Sequence, residues 1–305
     1  MKVNPPSPTF VIVALLAAST LLASACGLSA LGTGTNLSTE AGGGGGDGSV
    51  GADGSALVDG GGGGAGKDSA LPDATLPDGA LVEPYYGRVS NGLVALYEFE
   101  EGNGSIVNDA MPAPYPLNIA TLGDVVWHPH ALELKNYTKV AGSGNFDKLL
   151  TACASTNEVT VEAWVKYASV EGDSTIYGRL LTVASSSTTR DLALGNVGEK
   201  QWWFSMDDSE DALANGASTS LVHTVLVRTD DNNDTLHGFV NGAEVASHHG
   251  VRKPDGFSAY PLTVGNSPTG ARGVKATIHL IAFYSRALTP VEIGLNYKAG
   301  ADPLP

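Results

Sequence analysis

The chain has 305 residues, 39 of them Gly, and a formal net charge of -15. Gly is concentrated in the first third, which leaves one foldable domain of about 200 residues. No run of Lys and Arg occurs, so the acidic balance excludes a nucleic-acid partner, because phosphate recognition needs clustered cations.

In chain order, residues 1–25 have the plan of an export signal: Lys2 near the start, an apolar run from Phe10 to Leu22, then the small residues Ala23, Ser24 and Ala25. The run is too short to span a bilayer as a mature helix. Two processing routes are open. The segment LLASACG resembles a bacterial lipoprotein signal, in which Cys26 would be acylated, although Ala23 stands where Leu is usual and Leu22 is one step back. That route implies outer-membrane or surface display, with the N-terminal lipid as the only membrane contact. Ordinary cleavage after Ala25 would instead leave the chain secreted. Cys153 is the only other cysteine, so an acylated Cys26 leaves no internal disulfide, and stability must come from a core. Cys153 itself reads as a small buried apolar residue.

Residues 26–88 are rich in Gly, Asp and Ala, without periodicity, and their acids outnumber their bases eight to two. Such a segment buries too little apolar surface to offset its conformational entropy, so it is expected to be a disordered tether spanning roughly 40 Å. From 89 to 301 short apolar runs alternate with Gly, Asn, Asp and Pro, the texture of an all-β fold. Strands are expected at 93–99, 130–141, 159–167, 179–185, 191–196, 201–206, 223–229, 235–241, 243–249, 261–266 and 276–285. Only 289–300 reads as helix, with Thr289 to cap it, Pro290 in its first turn and Gly300 at its end. Residues 302–305 are a tail.

Four stretches carry a family likeness: GLVALYEFEEGNGSIVNDA (92–110), HALELKNYTKV leading to EVTVEAWVKY (130–167), HTVLVRTDDNNDTLHGFVNGAEVAS (223–247), and PLTVGN with ATIHLIAFYSRALTPVEIGLNYKAGA (261–301). Their order resembles the laminin-G-like branch of the concanavalin A-like lectin/glucanase sandwich. The resemblance implies an antiparallel two-sheet jelly roll with one short C-terminal helix. It says little about function, because the same sandwich hosts lectins, adhesive modules, glycosidases and lyases.

Laminarinase-like hydrolases on this fold carry E-x-D-x-x-E, which places two carboxylates on one strand face. That motif is absent, as are G-x-S-x-G, H-E-x-x-H and a P-loop. The acidic stretch 206–213 reads as a solvated loop, since Asp207 and Glu210 do not share strand parity. No catalytic residue is therefore expected, and a glycoside hydrolase is the least favoured reading. His128, His130, His248 and His249 lack a third ligand at useful spacing. Calcium is the one cofactor left open, because relatives bind it through acids near the first strand and one on the last. Glu98, Glu100 and Glu101 suit the first position, but Thr277 to Leu280 stand where the last acid is usual.

Strand parity sorts the aromatics. Val159, Val161, Ala163 and Val165 form the apolar side of one strand, leaving Glu162 and Trp164 on the other face. In QWWFSM, Trp202, Phe204 and Met206 face the core, leaving Gln201, Trp203 and Ser205 outside. A face mixing Trp with Gln, Glu and Thr suits a sugar, so Trp203, Gln201, Trp164 and Glu162 are the candidate ligand contacts. The alternative is that loops or the C-terminal helix cover these tryptophans and complete a second small core. The partner class expected is a glycan or a surface protein, and a structural or adhesive envelope role without a small ligand is the competing reading. Residues 230–234, DDNND, match part of a calcium loop, but Thr235 stands where that loop needs Gly, so a hairpin turn is expected.

Overall fold

The computed structural model describes residues 87–169, 177–198, 200–208 and 210–301. The export signal, Cys26, residues 27–86 of the tether and the tail at 302–305 lie outside the described residues. In chain order come β1 (Leu93–Tyr97), β2 (Ile106–Val107), β3 (Leu117–Ile119), β4 (Val125–His128), β5 (Ala131–Leu134) and β6 (Val140–Gly142), then helix α1 (Asp147–Cys153). They are followed by β7 (Val159–Tyr167), β8 (Tyr177–Ala184), β9 (Arg190–Val197), β10 (Gln201–Met206), β11 (Glu210–Asn215) and β12 (Leu221–Thr229). β13 (Thr235–Val240), β14 (Ala243–His248), β15 (Leu262–Val264), β16 (Ala276–Tyr284) and helix α2 (Pro290–Ala299) complete the series.

Two antiparallel sheets result. The first runs β14-β13-β12-β7-β16-β5-β4, with β1 also on β16, and the second runs β11-β10-β9-β8-β15-β6-β3-β2. The two-residue period of each strand builds the main core between them. Val159, Val161, Ala163 and Val165 of β7 pack in one cluster with Trp202, Phe204 and Met206 of β10, as parity requires. Cys153 is buried and free, and burial pushes its thiol up to about 12, which removes it as a nucleophile at neutral pH.

Local chemistry sets the connections. Asn241 and Gly242 both take positive φ, at 51° and 79°, and join β13 to β14 by the tight turn that this pair favours. Thr289 and Glu292 form a capping box at the start of α2. Asp109 accepts backbone N–H groups of Leu96 (3.0 Å), Met111 (3.0 Å) and Tyr115 (3.1 Å) and pairs with Lys148 at 2.6 Å, so its carboxylate closes the loop after β2.

Four expectations are corrected. The stretch 130–141 is two strands, β5 in the first sheet and β6 in the second, because the chain turns at Tyr137 with φ at 57°. The acidic stretch 206–213 is only partly loop. Asp207 turns at φ 56°, but from Glu210 the chain is β11, paired with β10 from Gln201 opposite Asn215 to Met206 opposite Glu210. A sheet edge tolerates such acids on its solvent side. Helix α1 was not expected at all: it has no side-chain cap, and only Leu149 and Cys153 of it are buried. The fold also begins before residue 89, since Arg88 is 6% exposed and pairs with Glu162 on β7.

Candidate functional site

The two outer sheet faces have different fates. On the first sheet, α2 covers the face that carries Glu162 and Trp164. Trp164 is buried, stacked on Tyr297 of α2 at 5.8 Å between ring centroids and packed against His223 at 5.1 Å. Leu96, Val225, Val227, Phe239, Leu280, Ala282 and Ile293 complete this second core. Glu162, fully buried, lies at the centre of a polar network beneath the helix. Its Oε1 pairs with Arg88 and sits 3.1 Å from His223 Nε2, while its Oε2 accepts from Asn296 Nδ2 at 2.7 Å. Asn296 Oδ1 in turn accepts from the Val89 backbone N–H at 2.9 Å, and Arg88 also donates to the Gly300 carbonyl. Burial alone would raise the Glu162 pKa, but the Arg88 charge and the His223 and Asn296 hydrogen bonds hold it down to about 2. Glu162 and Trp164 are therefore removed from the candidate ligand contacts: their mixed face is mixed because it holds an internal ion pair.

On the second sheet, Trp203 lies outside the main core in a small cluster with Ala193, Val197 and Tyr177. Its indole is not an exposed platform, since it is 1% exposed. Two guanidinium groups cap it, Arg190 at 5.0 Å and Arg179 at 5.7 Å from the ring, and Tyr177 meets it edge-on at 5.0 Å. Gly195 makes this possible, because it is the cross-strand partner of both Trp203 and Arg179 and puts no side chain between them. A bulge after Arg179 turns both Leu180 and Leu181 into the core and aims Arg179 outward. Gln201 is half-buried and donates to Asn215 Oδ1 at 3.1 Å, off the capped ring.

Over Trp203 lies a cavity of ≈ 250 Å³, lined also by Arg179, Arg190, Arg272, Asp208 and Asp211, with exposed Thr188 on its rim. Arg190 is held at two of its nitrogens: Nε donates to Ser205 Oγ (2.9 Å), and Nη2 to the Asp208 carbonyl (2.9 Å) and Asp211 Oδ1 (3.2 Å). Arg179 donates to the Ser186 (3.2 Å) and Ser187 (2.6 Å) carbonyls, and its Nε has no partner. Burial, then the neighbouring Arg190 and Arg272 charges, pull the Arg179 pKa down to about 10. A second cavity of ≈ 320 Å³ uses Gly178, Asn196, Ala271, Gly273 and Val274, and is lined largely by small residues.

Parity in QWWFSM pointed to this face, but not to its cations. Arg179, Arg190 and Arg272 lie on separate strands and a loop, so no sequence spacing links them; the one trace is an Arg opening each of two apolar strands, RLLTVAS and RDLALGN.

The remaining candidates are structural in their surroundings. Glu98, Glu100, Glu101 and Asn108 line a cavity of ≈ 290 Å³, where Glu101 Oε1 already accepts from Asn108 N (2.6 Å) and Nδ2 (3.1 Å). Burial, then the Glu100 charge, raises the Glu98 pKa. Among the described residues no group of three His, Cys, Asp or Glu is placed to hold a metal ion. In DDNND, Asp230 pairs with Lys253 (2.8 Å) and Arg228 (3.2 Å), Asp231 closes an Asx turn onto Asn233 N (2.9 Å), and Asp234 takes φ 48°. Arg228 and Lys253 thus neutralise both Asp230 and Asp234. His128 and His130 are exposed and bonded to Glu133 (2.8 Å) and Glu100 (3.2 Å). Asp191 has a carboxylate pKa raised to about 6, by burial first and by Asp207 and Asp208, yet its side chain is fully enclosed. It offers no surface to a substrate.

Comparison with known proteins agrees with the geometry. The family model described as the concanavalin A-like lectin/glucanases superfamily matches residues 141–294, half of the chain. No curated protein sequence matches. Among solved structures, a Trypanosoma rangeli sialidase in complex with a difluoro-KDN inhibitor is similar with a TM-score of 0.54 and 16% identity, covering 69% of this chain and 33% of the sialidase. A receptor-binding domain is similar at TM-score 0.52 and 12% identity, over 68% of this chain and 51% of that one. The binding domain of botulinum neurotoxin serotype D/C gives 0.51 and 11%, over 68% and 52%. At these identities the likeness concerns the fold alone, and the chain spans about a third of the sialidase.

Proposed function

Because the chain belongs to the concanavalin A-like lectin/glucanases superfamily, we propose that its domain is a non-catalytic module that binds a glycan at the cavity over Trp203. The observation that carries this reading is the cavity's composition: the half-buried Tyr177 ring, guanidinium and carboxylate groups at the sides, and Ser187 and Thr188 at the rim, above the capped Trp203. Sugars need that combination of a flat apolar surface and directional polar groups. Support for a non-catalytic role comes from Asp208 and Asp211, the two carboxylates of the cavity. Asp211 is ion-paired with Arg190, and Asp208 Oδ1 accepts from the Arg190 backbone N–H at 2.8 Å, so both act as struts for that arginine.

The test is a glycan-array screen of the purified chain, with and without calcium, repeated on Thr188→Trp. Binding to at least one glycan, weakened about ten-fold or more when the new indole fills the rim, is expected. Binding that Thr188→Trp leaves intact would move the site elsewhere, and sustained turnover of a bound glycan would end the non-catalytic reading.

The same proposal places the module at the cell envelope, held by lipid on Cys26 through the Gly-rich segment. Metabolic labelling with an alkyne fatty acid is expected to mark the wild-type chain and not Cys26→Ser. An unlabelled, freely secreted wild-type chain would favour plain signal cleavage instead.

A further inference from the structure

We infer that the ligand of the Trp203 cavity carries an oxyanion, a carboxylate or a sulfate, that is received by the guanidinium cluster around Arg179; this rests on the glycan-binding reading above. Elsewhere in this fold arginines meet carboxylates. Arg88 is paired with Glu162, Arg228 with Asp230 and Asp234, and Arg286 with Glu292. Arg190 has Asp211, and Arg252 lies 3.7 Å from Asp191. Each places its charge against a carboxylate, as burial of a cation requires.

Arg179 breaks that pattern. It is 1% exposed, and among the described residues no carboxylate lies within ion-pair distance of it. Its partners are neutral oxygens, the carbonyls of Ser186 and Ser187 and the Thr182 hydroxyl at 3.5 Å, and its Nε has none. The charges that act on it are two more guanidinium groups, Arg190 and Arg272, and the more distant carboxylates of Asp208 and Asp211, all of which line the same cavity. Of the cavity's two carboxylates, Asp211 pairs with Arg190, and neither Asp208 nor Asp211 comes within ion-pair distance of Arg179. Planar guanidinium groups recognise carboxylate, sulfate and phosphate through paired N–H donors, and a ligand oxyanion would supply the missing counter-charge.

Binding of the full chain is measured by titration calorimetry at low and moderate salt against two matched pairs. Polygalacturonate is compared with its fully methyl-esterified form, and dextran sulfate with dextran. The expected result is binding of a charged member at least about ten-fold tighter than its neutral counterpart, the scale of one charge-assisted hydrogen bond. The first pair reports a carboxylate and the second a sulfate. Arg179→Gln is expected to remove the preference. Since that variant can fail to fold, Thr188→Glu, at an exposed rim position, is expected to weaken the charged ligand about ten-fold by repulsion while Thr188→Gln does not. Equal affinity for charged and neutral members overturns the oxyanion inference and leaves the glycan-binding reading standing. A charged ligand indifferent to Thr188→Glu overturns its placement in this cavity. No binding to any polysaccharide, charged or neutral, here or on the array, overturns both.

Discussion

Glu162→Ala is expected to destabilise the domain by about 3–5 kcal/mol, the cost of leaving the partner of a buried ion pair uncompensated. In a domain of this size that is a fall in melting temperature on the order of 10 °C. The effect is large because the carboxylate serves three partners at once. It neutralises Arg88 at the entrance to the fold, meets His223 on β12, and accepts from Asn296 on α2, all under a helix that excludes water. Glu162→Gln should cost less, since the amide keeps an acceptor for Asn296 while losing the charge. The network also sets an acid limit. The folded pKa, at about 2, lies below the ordinary value of 4.5, so this contribution is present above pH 4.5 and drains away as pH falls toward 2. Urea midpoints of wild type and Glu162→Ala measured at pH 7 and pH 3 should converge. A loss under about 1 kcal/mol at pH 7 would show that Arg88 and α2 hold without it.

Asp191→Asn should act in the opposite sense and stabilise the domain at neutral pH. The wild-type carboxyl has a folded pKa of about 6 against an ordinary 3.8, so the folded state holds its proton more tightly than the unfolded chain. Stability from this group is therefore full below pH 3.8 and is lost as pH rises through 6. The shift corresponds to about 3 kcal/mol as an upper bound. The cause is enclosure: the side chain is fully buried, receives one hydrogen bond from Ser258 N at 2.9 Å, and faces Arg252 only at 3.7 Å with Asp207 and Asp208 nearby. Asn keeps an acceptor for Ser258 and carries no charge to desolvate. Chemical denaturation of both proteins at pH 7.5 and pH 4 tests it: the variant should lead at the higher pH, and the lead should vanish at the lower one. A variant less stable than wild type at pH 7.5 would mean that the Arg252 attraction outweighs desolvation.

Much of the architecture was legible along the chain because it rests on short-range signals. Alternation in VTVEAWVKY and QWWFSM assigned the core faces correctly, the Asn241-Gly242 pair marked its hairpin, and Thr289, Pro290 and Gly300 bracketed the helix. The departures occurred where a local signal was weak or shared. HALELKNYTKVA reads as one apolar run, yet its halves pair with different sheets. Helix α1 lacks a cap residue, and β11 is an acidic edge whose strand character comes from pairing with β10. Parity also found both outer faces, but it could not tell which would be covered.

That last distinction marks the division of labour in this molecule. Side-chain alternation is a property of each strand alone, so the pattern of residues suffices to place Trp164 and Trp203 outside the main core. Whether an outer face becomes a second core or a polar cavity depends on what arrives from far along the chain. Tyr297 and Asn296, more than 130 residues beyond Glu162, close the first face. On the second face, Arg179, Arg190 and Arg272 converge over Trp203 through a bulge, a missing side chain at Gly195 and a distant loop. Such meetings are set by long-range pairing and packing, which carry no fixed spacing in the sequence.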